Sequence, residues 1–194
     1  MKSIAIFVLA FIVMAISGCG YNVMQQNEEA VKSAWGNVEA AYQMRNDLIP
    51  NFVETVKAYA KHERQTLQAV IDARSRVGSI TVSKDMIGDT QSMARFQEAQ
   101  ATMGGALSRL LVVLERYPDL KANENFRDLQ NQLEETENRI GNARTRYNKA
   151  VKDFNTSIRI FPNNLTNKAL LHLVEKQPFK ADKGAEKAPV VKFE

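Results

Sequence analysis

Between Phe126 and Phe154 the chain reads FRDLQNQLEETENRIGNARTRYNKAVKDF, with apolar residues at Phe126, Leu129, Leu133, Ile140, Ala143, Tyr147, Ala150 and Phe154. Thr136 fills the remaining place in the series and is its one polar member. Steps of three and four residues in turn bring these side chains onto one helix face, because successive residues turn about 100° around the axis. A stripe flanked by this much charge is stable only when other helices cover it. The stretch therefore predicts a long helix in a bundle.

The same spacing recurs along the chain, at Val31, Ala34, Val38 and Ala41, at Phe52, Val53, Val56 and Ala60, and at Leu67, Val70 and Ile71. It returns at Met93, Phe96, Met103, Leu107, Leu110 and Leu114. Trp35 and Tyr42, seven apart, are read as part of the first helix's seam, with an aromatic contact surface as the alternative. A strand-like pattern competes only at Ile80 to Val82.

Between the stripes stand residues that break helices. Pro50 suits the first position of a helix and pushes Ile49 out of helical geometry, so a reversal is expected over Arg45 to Ile49. Gly78, Gly88 and Asp89 bracket the end of the second helix and the start of the third. Pro118, Asp119 and Asn123 mark the next turn, and Pro162, Asn163 and Asn164 close the last long helix. The expected architecture is an all-α, up-down antiparallel four-helix bundle. A short apolar piece, Leu165 to Val174, then leads into a mobile tail over 176–194, where Val190, Val191 and Phe193 are docking candidates.

The N-terminus has the order of an export signal: Lys2, an unbroken apolar run from Ile4 to Ile16, and the small residues Ser17 and Gly18 before the chain's only cysteine, Cys19. Thirteen helical residues span about 20 Å, short of the roughly 30 Å of a bilayer's hydrocarbon core. Residues 1–18 are therefore read as a signal segment, and 19–175 as the bundle. Ile16, Ser17, Gly18 and Cys19 resemble a lipobox, which implies cleavage between Gly18 and Cys19 and a lipid on the Cys19 thiol as the sole anchor. The alternatives are an ordinary signal or a retained single-pass helix using the uncharged stretch from Ser3 to Asn27. In a host with two membranes, Gly20 lacks the aspartate that commonly holds lipoproteins at the inner one, which favours the outer.

Twenty-six basic residues against 22 acidic give a net charge of +4, and the two signs alternate, as in Lys61, His62, Glu63 and Arg64. That is the pattern of solvated helix faces and excludes a concentrated nucleic-acid footprint. Only His62 and His172 could join a carboxylate metal site, and they lie far apart, so no metal site is expected; His62 is read as an exposed helix residue. No phosphate loop, haem-attachment pair or nucleophile elbow is present, so no cofactor, small-molecule substrate or catalytic residue is expected.

Arg45-Asn-Asp-Leu-Ile-Pro-Asn51 running into Val53 to Glu63, Tyr117-Pro-Asp-Leu-Lys-Ala-Asn-Glu-Asn-Phe126, Glu137-Asn-Arg-Ile140 with Ala143-Arg144 and Tyr147-Asn148, and Phe161-Pro-Asn163 together resemble the LemA family. The resemblance covers nearly the whole chain after the signal. It implies a bacterial membrane-associated protein with a helical-bundle ectodomain and no established biochemical activity. Many members keep the N-terminal segment as a membrane helix, from which Ser17, Gly18 and Cys19 depart.

These features together predict a non-catalytic envelope adaptor, with a structural maintenance role as the alternative and a small hydrolase or ligand-binding protein more distant. If the chain reverses at Arg45 to Ile49, again at Gly78 to Asp89 and again at Pro118 to Asn123, the first and third reversals fall at the end far from Cys19. That end would gather Arg45, Asn46, Asp47, Asn51, Tyr117, Asp119, Lys121, Asn123 and Asn125 as a site for an envelope protein partner. The competing role for these residues is turn and cap geometry. Asn131, Asn138, Asn142, Asn148 and Asn155 flank the seam of the last helix, where asparagine is a poor helix former; bonds to neighbouring helices are the expected reason.

Overall fold

A computed structural model describes the backbone of residues 2–80 and 84–181, with side chains over 20–80 and 86–181. Four long helices carry the fold: α1 (Lys2–Tyr59), α2 (Arg64–Gly78), α3 (Thr90–Leu114) and, after the short α4 (Pro118–Ala122), α5 (Glu124–Arg159). A 3-10 turn, Lys84–Gly88, precedes α3; α6 (Asn163–Thr166) and a π turn, Asn167–Leu171, follow α5. The fold is all-α, and no strand forms among the described residues. α1 packs along α5, and α2 packs against α3.

Local chemistry accounts for most of the boundaries. Asp89 caps α3, its carboxylate accepting from the backbone N–H of Gln91 and Ser92, and Asn123 caps α5 by accepting from Phe126 N at 3.0 Å. The seam predicted on α5 is the buried one, including Leu133, Ile140, Tyr147 and Phe154.

The reversal expected over Arg45 to Ile49 is corrected. Pro50 lies inside α1, which continues to Tyr59, and the chain turns at Ala60 to Glu63. A proline in a helix cannot donate to the carbonyl four residues back, here that of Asn46. Arg74 of α2 supplies the missing donor, its Nε lying 3.2 Å from Asn46 O. His62 is exposed, as expected, but in this turn rather than on a helix.

Two apolar clusters fill the bundle. A lower one, near Gly20, joins Met24, Trp35, Phe96, Tyr147 and Phe154 with their neighbours. An upper one, near Tyr59, joins Phe52, Val56, Leu107, Leu110 and Phe126 with theirs. Buried Arg45, Gln100 and Thr136 stand between the two. Each occupies a seam position of its helix, as Arg45 does midway between Val38 and Phe52.

The start of the expected tail is also corrected. From Leu173 to Ala181 the chain has no helix and runs back along α5, and Phe179 is buried in the lower core. Asn155 donates to Lys176 O at 3.0 Å and accepts from Lys176 N at 2.9 Å. Asn148 does the same for Phe179, at 3.1 and 2.8 Å. Each side-chain amide pairs with one backbone residue as a neighbouring strand would. Residues 182–194, with Val190, Val191 and Phe193, lie outside the described residues. So do the side chains of Cys19 and the apolar run; among the described residues no helix is long and apolar enough to cross a membrane.

Candidate interaction site

Arg45 is 3% exposed, and burying its charge is costly unless every donor finds a partner. Its Nη1 lies 2.7 Å from Glu137 Oε1 on α5. Its Nη2 donates to the side-chain and backbone oxygens of Gln100 on α3. The guanidinium also sits 5.1 Å over the ring of Tyr42. One residue of α1 thereby ties together the two helix pairs. The Glu137 side chain is 48% exposed, so water shares in stabilising the pair and the desolvation penalty is partial.

Clefts open on both sides of this layer. One of about 300 Å³ lies between α3 and α5, with Gln97, Gly104, Gly105, Glu137 and Arg144 in its wall. The other, of about 570 Å³, lies between α1, the end of α2 and α3, and is lined by Gly36, Gln43, Asn46, Val77 and Ile80. Asn46 Oδ1, in its wall, is buried and accepts no hydrogen bond. A Cβ on Gly36, Gly104 or Gly105 would meet nothing within 4 Å, so packing inside the chain does not explain these mid-helix glycines.

The nine residues expected at one tip divide into two groups. Arg45, Asn46, Asp47 and Asn51 lie on the middle of α1, and Arg45 is about 21 Å below the end of the helix at 1.5 Å per residue. Asp47 accepts from Gln43 at 2.7 Å, and the carbonyl of Asn51 accepts from Thr55 at 2.9 Å. Tyr117, Asp119, Lys121, Asn123 and Asn125 do stand at the tip, beside the Ala60 to Glu63 turn. There Tyr117 donates to Glu63 at 2.8 Å, and this bond raises the Tyr117 hydroxyl above the usual tyrosine range. Arg116 pairs with the same carboxylate at 3.2 Å. Asn123 donates to Tyr59 at 3.0 Å, and Lys121 pairs with Glu115 at 2.5 Å. Asp119 and Asn125 are exposed. Most of the tip set therefore has a turn, cap or pairing role as well as an accessible surface.

The sequence reading missed Gln100 as a partner of Arg45, and it missed the segment held by Asn148 and Asn155. A charged residue on an otherwise apolar seven-residue repeat was the available signal for the first. For the second, Asn148 and Asn155 did stand out as poor helix formers in need of bonds, but those bonds go to the extended segment and not to the neighbouring helices expected. Burial pushes the Tyr147 hydroxyl far up, and it donates to Gln177 O at 2.9 Å, adding a third tie to that segment. No group of three or more His, Cys, Asp or Glu residues is placed to hold a metal ion among the described residues.

A long antiparallel bundle crossed at mid-height by one charged layer defines the class: an all-α helical-bundle domain. The LemA family model matches residues 34–193, and the chain belongs to the LemA family. It is 26% identical to magnetosome protein MamQ 1 of Paramagnetospirillum magneticum, over 74% of this chain and 59% of that one. It is 24% identical to protein LemA of Metamycoplasma hominis, over 74% of this chain and 61% of that one. The chain thus spans about three-fifths of the length of these relatives.

Proposed function

We propose that this protein is a non-catalytic adaptor of the bacterial envelope, anchored in a membrane by its N-terminal segment and presenting the bundle to a second envelope protein. The carrying observation is that α1 is one helix from Lys2 to Tyr59, so the bundle continues directly from the apolar run Ile4 to Ile16. From Gly20 to Tyr59 a helix rises about 58 Å, which holds the tip well clear of the membrane. Kinship with proteins named for the magnetosome fits a part in organising a cellular structure. In either form the anchor meets the bundle at the foot of α1, as a lipid on Cys19 after cleavage behind Gly18 or, alternatively, as the retained helix, and the intact mass of the membrane fraction separates them.

The partner surface is the tip, with Tyr117, Asp119, Lys121, Asn123 and Asn125. Asp119→Lys changes an exposed charge at the tip, so crosslinking to the partner in intact cells should disappear while the melting temperature holds. Undiminished crosslinking would move the surface elsewhere.

A further inference from the structure

Eleven large apolar residues stand exposed in the described chain, and seven of them gather at the lower end. Ile160, Phe161, Leu165, Leu170 and Val174 belong to the segment after α5, with Phe161 77% and Leu170 65% exposed. Tyr21 and Val23 add to them from α1. Concentration at one end distinguishes this patch from the scattered apolar residues normal on a soluble surface.

The segment is fixed to α1 at a defined level. Asn163, held by its bond to Ser157 O at 3.0 Å, packs so closely on Gly20 that any Cβ there would collide with it. Gly20 directly follows Cys19, and the apolar run Ile4 to Ile16 leaves the bundle along the same helix. Residues 160–174 contain Lys168 and His172 and no acidic residue. Glu175, at its edge, is paired with Arg159 at 3.5 Å, and an apolar face carrying Lys168 and His172 suits the headgroup region of an anionic bilayer.

We propose that residues 160–174, with Tyr21 and Val23, form a collar around α1 that seats in the bilayer interface, with Phe161, Leu165 and Leu170 reaching the acyl boundary. The collar deepens the anchoring proposed above and rests on it. It fixes the bundle against the membrane at a second place besides the N-terminal segment, so the domain stands at a set height and tilt. It also explains why Leu165 and Leu170 remain exposed while Leu171 and Leu173 pack against the core.

The test uses the full chain in vesicles of phosphatidylcholine and phosphatidylglycerol, with brominated phospholipid as the quencher. Leu165→Trp places a reporter in the collar, Val112→Trp places one on exposed α3, and the emission of buried Trp35 is subtracted from the parent protein. An interfacial side chain lies about 5–10 Å into the headgroup–acyl boundary, so the collar reporter should lose about half its emission to shallow bromines and the α3 reporter almost none. A collar reporter that is unquenched and solvent-like overturns the proposal. One that is blue-shifted yet unquenched does so too, assigning the patch to residues 182–194 or to a second copy. Protein that fails to float with the vesicles overturns the anchoring itself and the collar with it. Phe161→Ser with Leu170→Ser, in the Leu165→Trp background, should still float but show weaker quenching.

Discussion

The two halves of the core are built differently. The upper cluster draws on residues 49–133 and is mainly aliphatic, with Phe52 and Phe126, 5.6 Å apart, as its ring pair. The lower cluster joins both ends of the described side chains and is aromatic: Trp35 lies 5.6 Å from Phe96, 5.3 Å from Tyr147 and 6.1 Å from Phe179. Aliphatic packing suffices where short connections already hold the helices. Where remote segments must be drawn together, the molecule uses large rings with many contacts and bonds an extended strap across them.

The largest expected effect breaks this contrast at its centre. Trp35→Ala should cost about 3–5 kcal/mol by chemical denaturation. Hydrogen exchange should rise across residues 24–42 and 140–158 more than across 49–60 and 103–114. An equal rise in both would show one cooperative core, not two. Next comes Arg45→Met, which leaves Gln100 buried beside an apolar side chain. Breaking a buried pair costs about 3–5 kcal/mol, and the half-exposed Glu137 lowers the expectation to about 2–3 kcal/mol. Adding Gln100→Leu should recover part of that loss; a further fall of the same size would mean the layer carries no coupling.

Smaller changes sharpen the comparison. Asn155→Ala removes both bonds to Lys176 and should cost about 1–2 kcal/mol, with new protease sensitivity confined to residues 173–181. Gly104→Ala, in open space on α3, should stabilise by about 0.5–1 kcal/mol; if it instead weakens partner crosslinking, the adjoining cleft is in use. At Asp89, bonds from Ser92 and then Gln91 hold the carboxyl below the usual carboxylate range. Its contribution is therefore present above that range and disappears as the pH falls through the lowered value. Asp89→Asn should lower stability slightly at neutral pH, leave the acid end nearly unchanged and so flatten the acid limb of the stability profile.

The α5 seam was legible because its periodicity and its burial have the same cause, a helix covered on one side. Gly78, Asp89, Pro118 and Asn123 were legible as boundaries because their chemistry is local. Pro50 misled for the opposite reason: its cost is offset by Arg74, 24 residues further along and visible only once α2 folds back. The true turn at Ala60 to Glu63 carries neither glycine nor proline. The tip was therefore half legible, since Tyr117 to Asn125 read correctly as a reversal while Arg45 to Asn51 did not. Arg45 itself was read as a reversal residue in the partner site, although its place in the seam pointed to burial.

The stacking of Phe179 on Trp35 also sets an order of assembly. A chain made from its N-terminus has every upper-core residue once Leu133 has emerged, whereas Trp35 must wait for a ring 144 positions later. Until then Trp35 has Phe96 and Tyr147 beside it but not the ring that stacks on it. Closure of the strap is therefore the step that finishes the fold of the described residues.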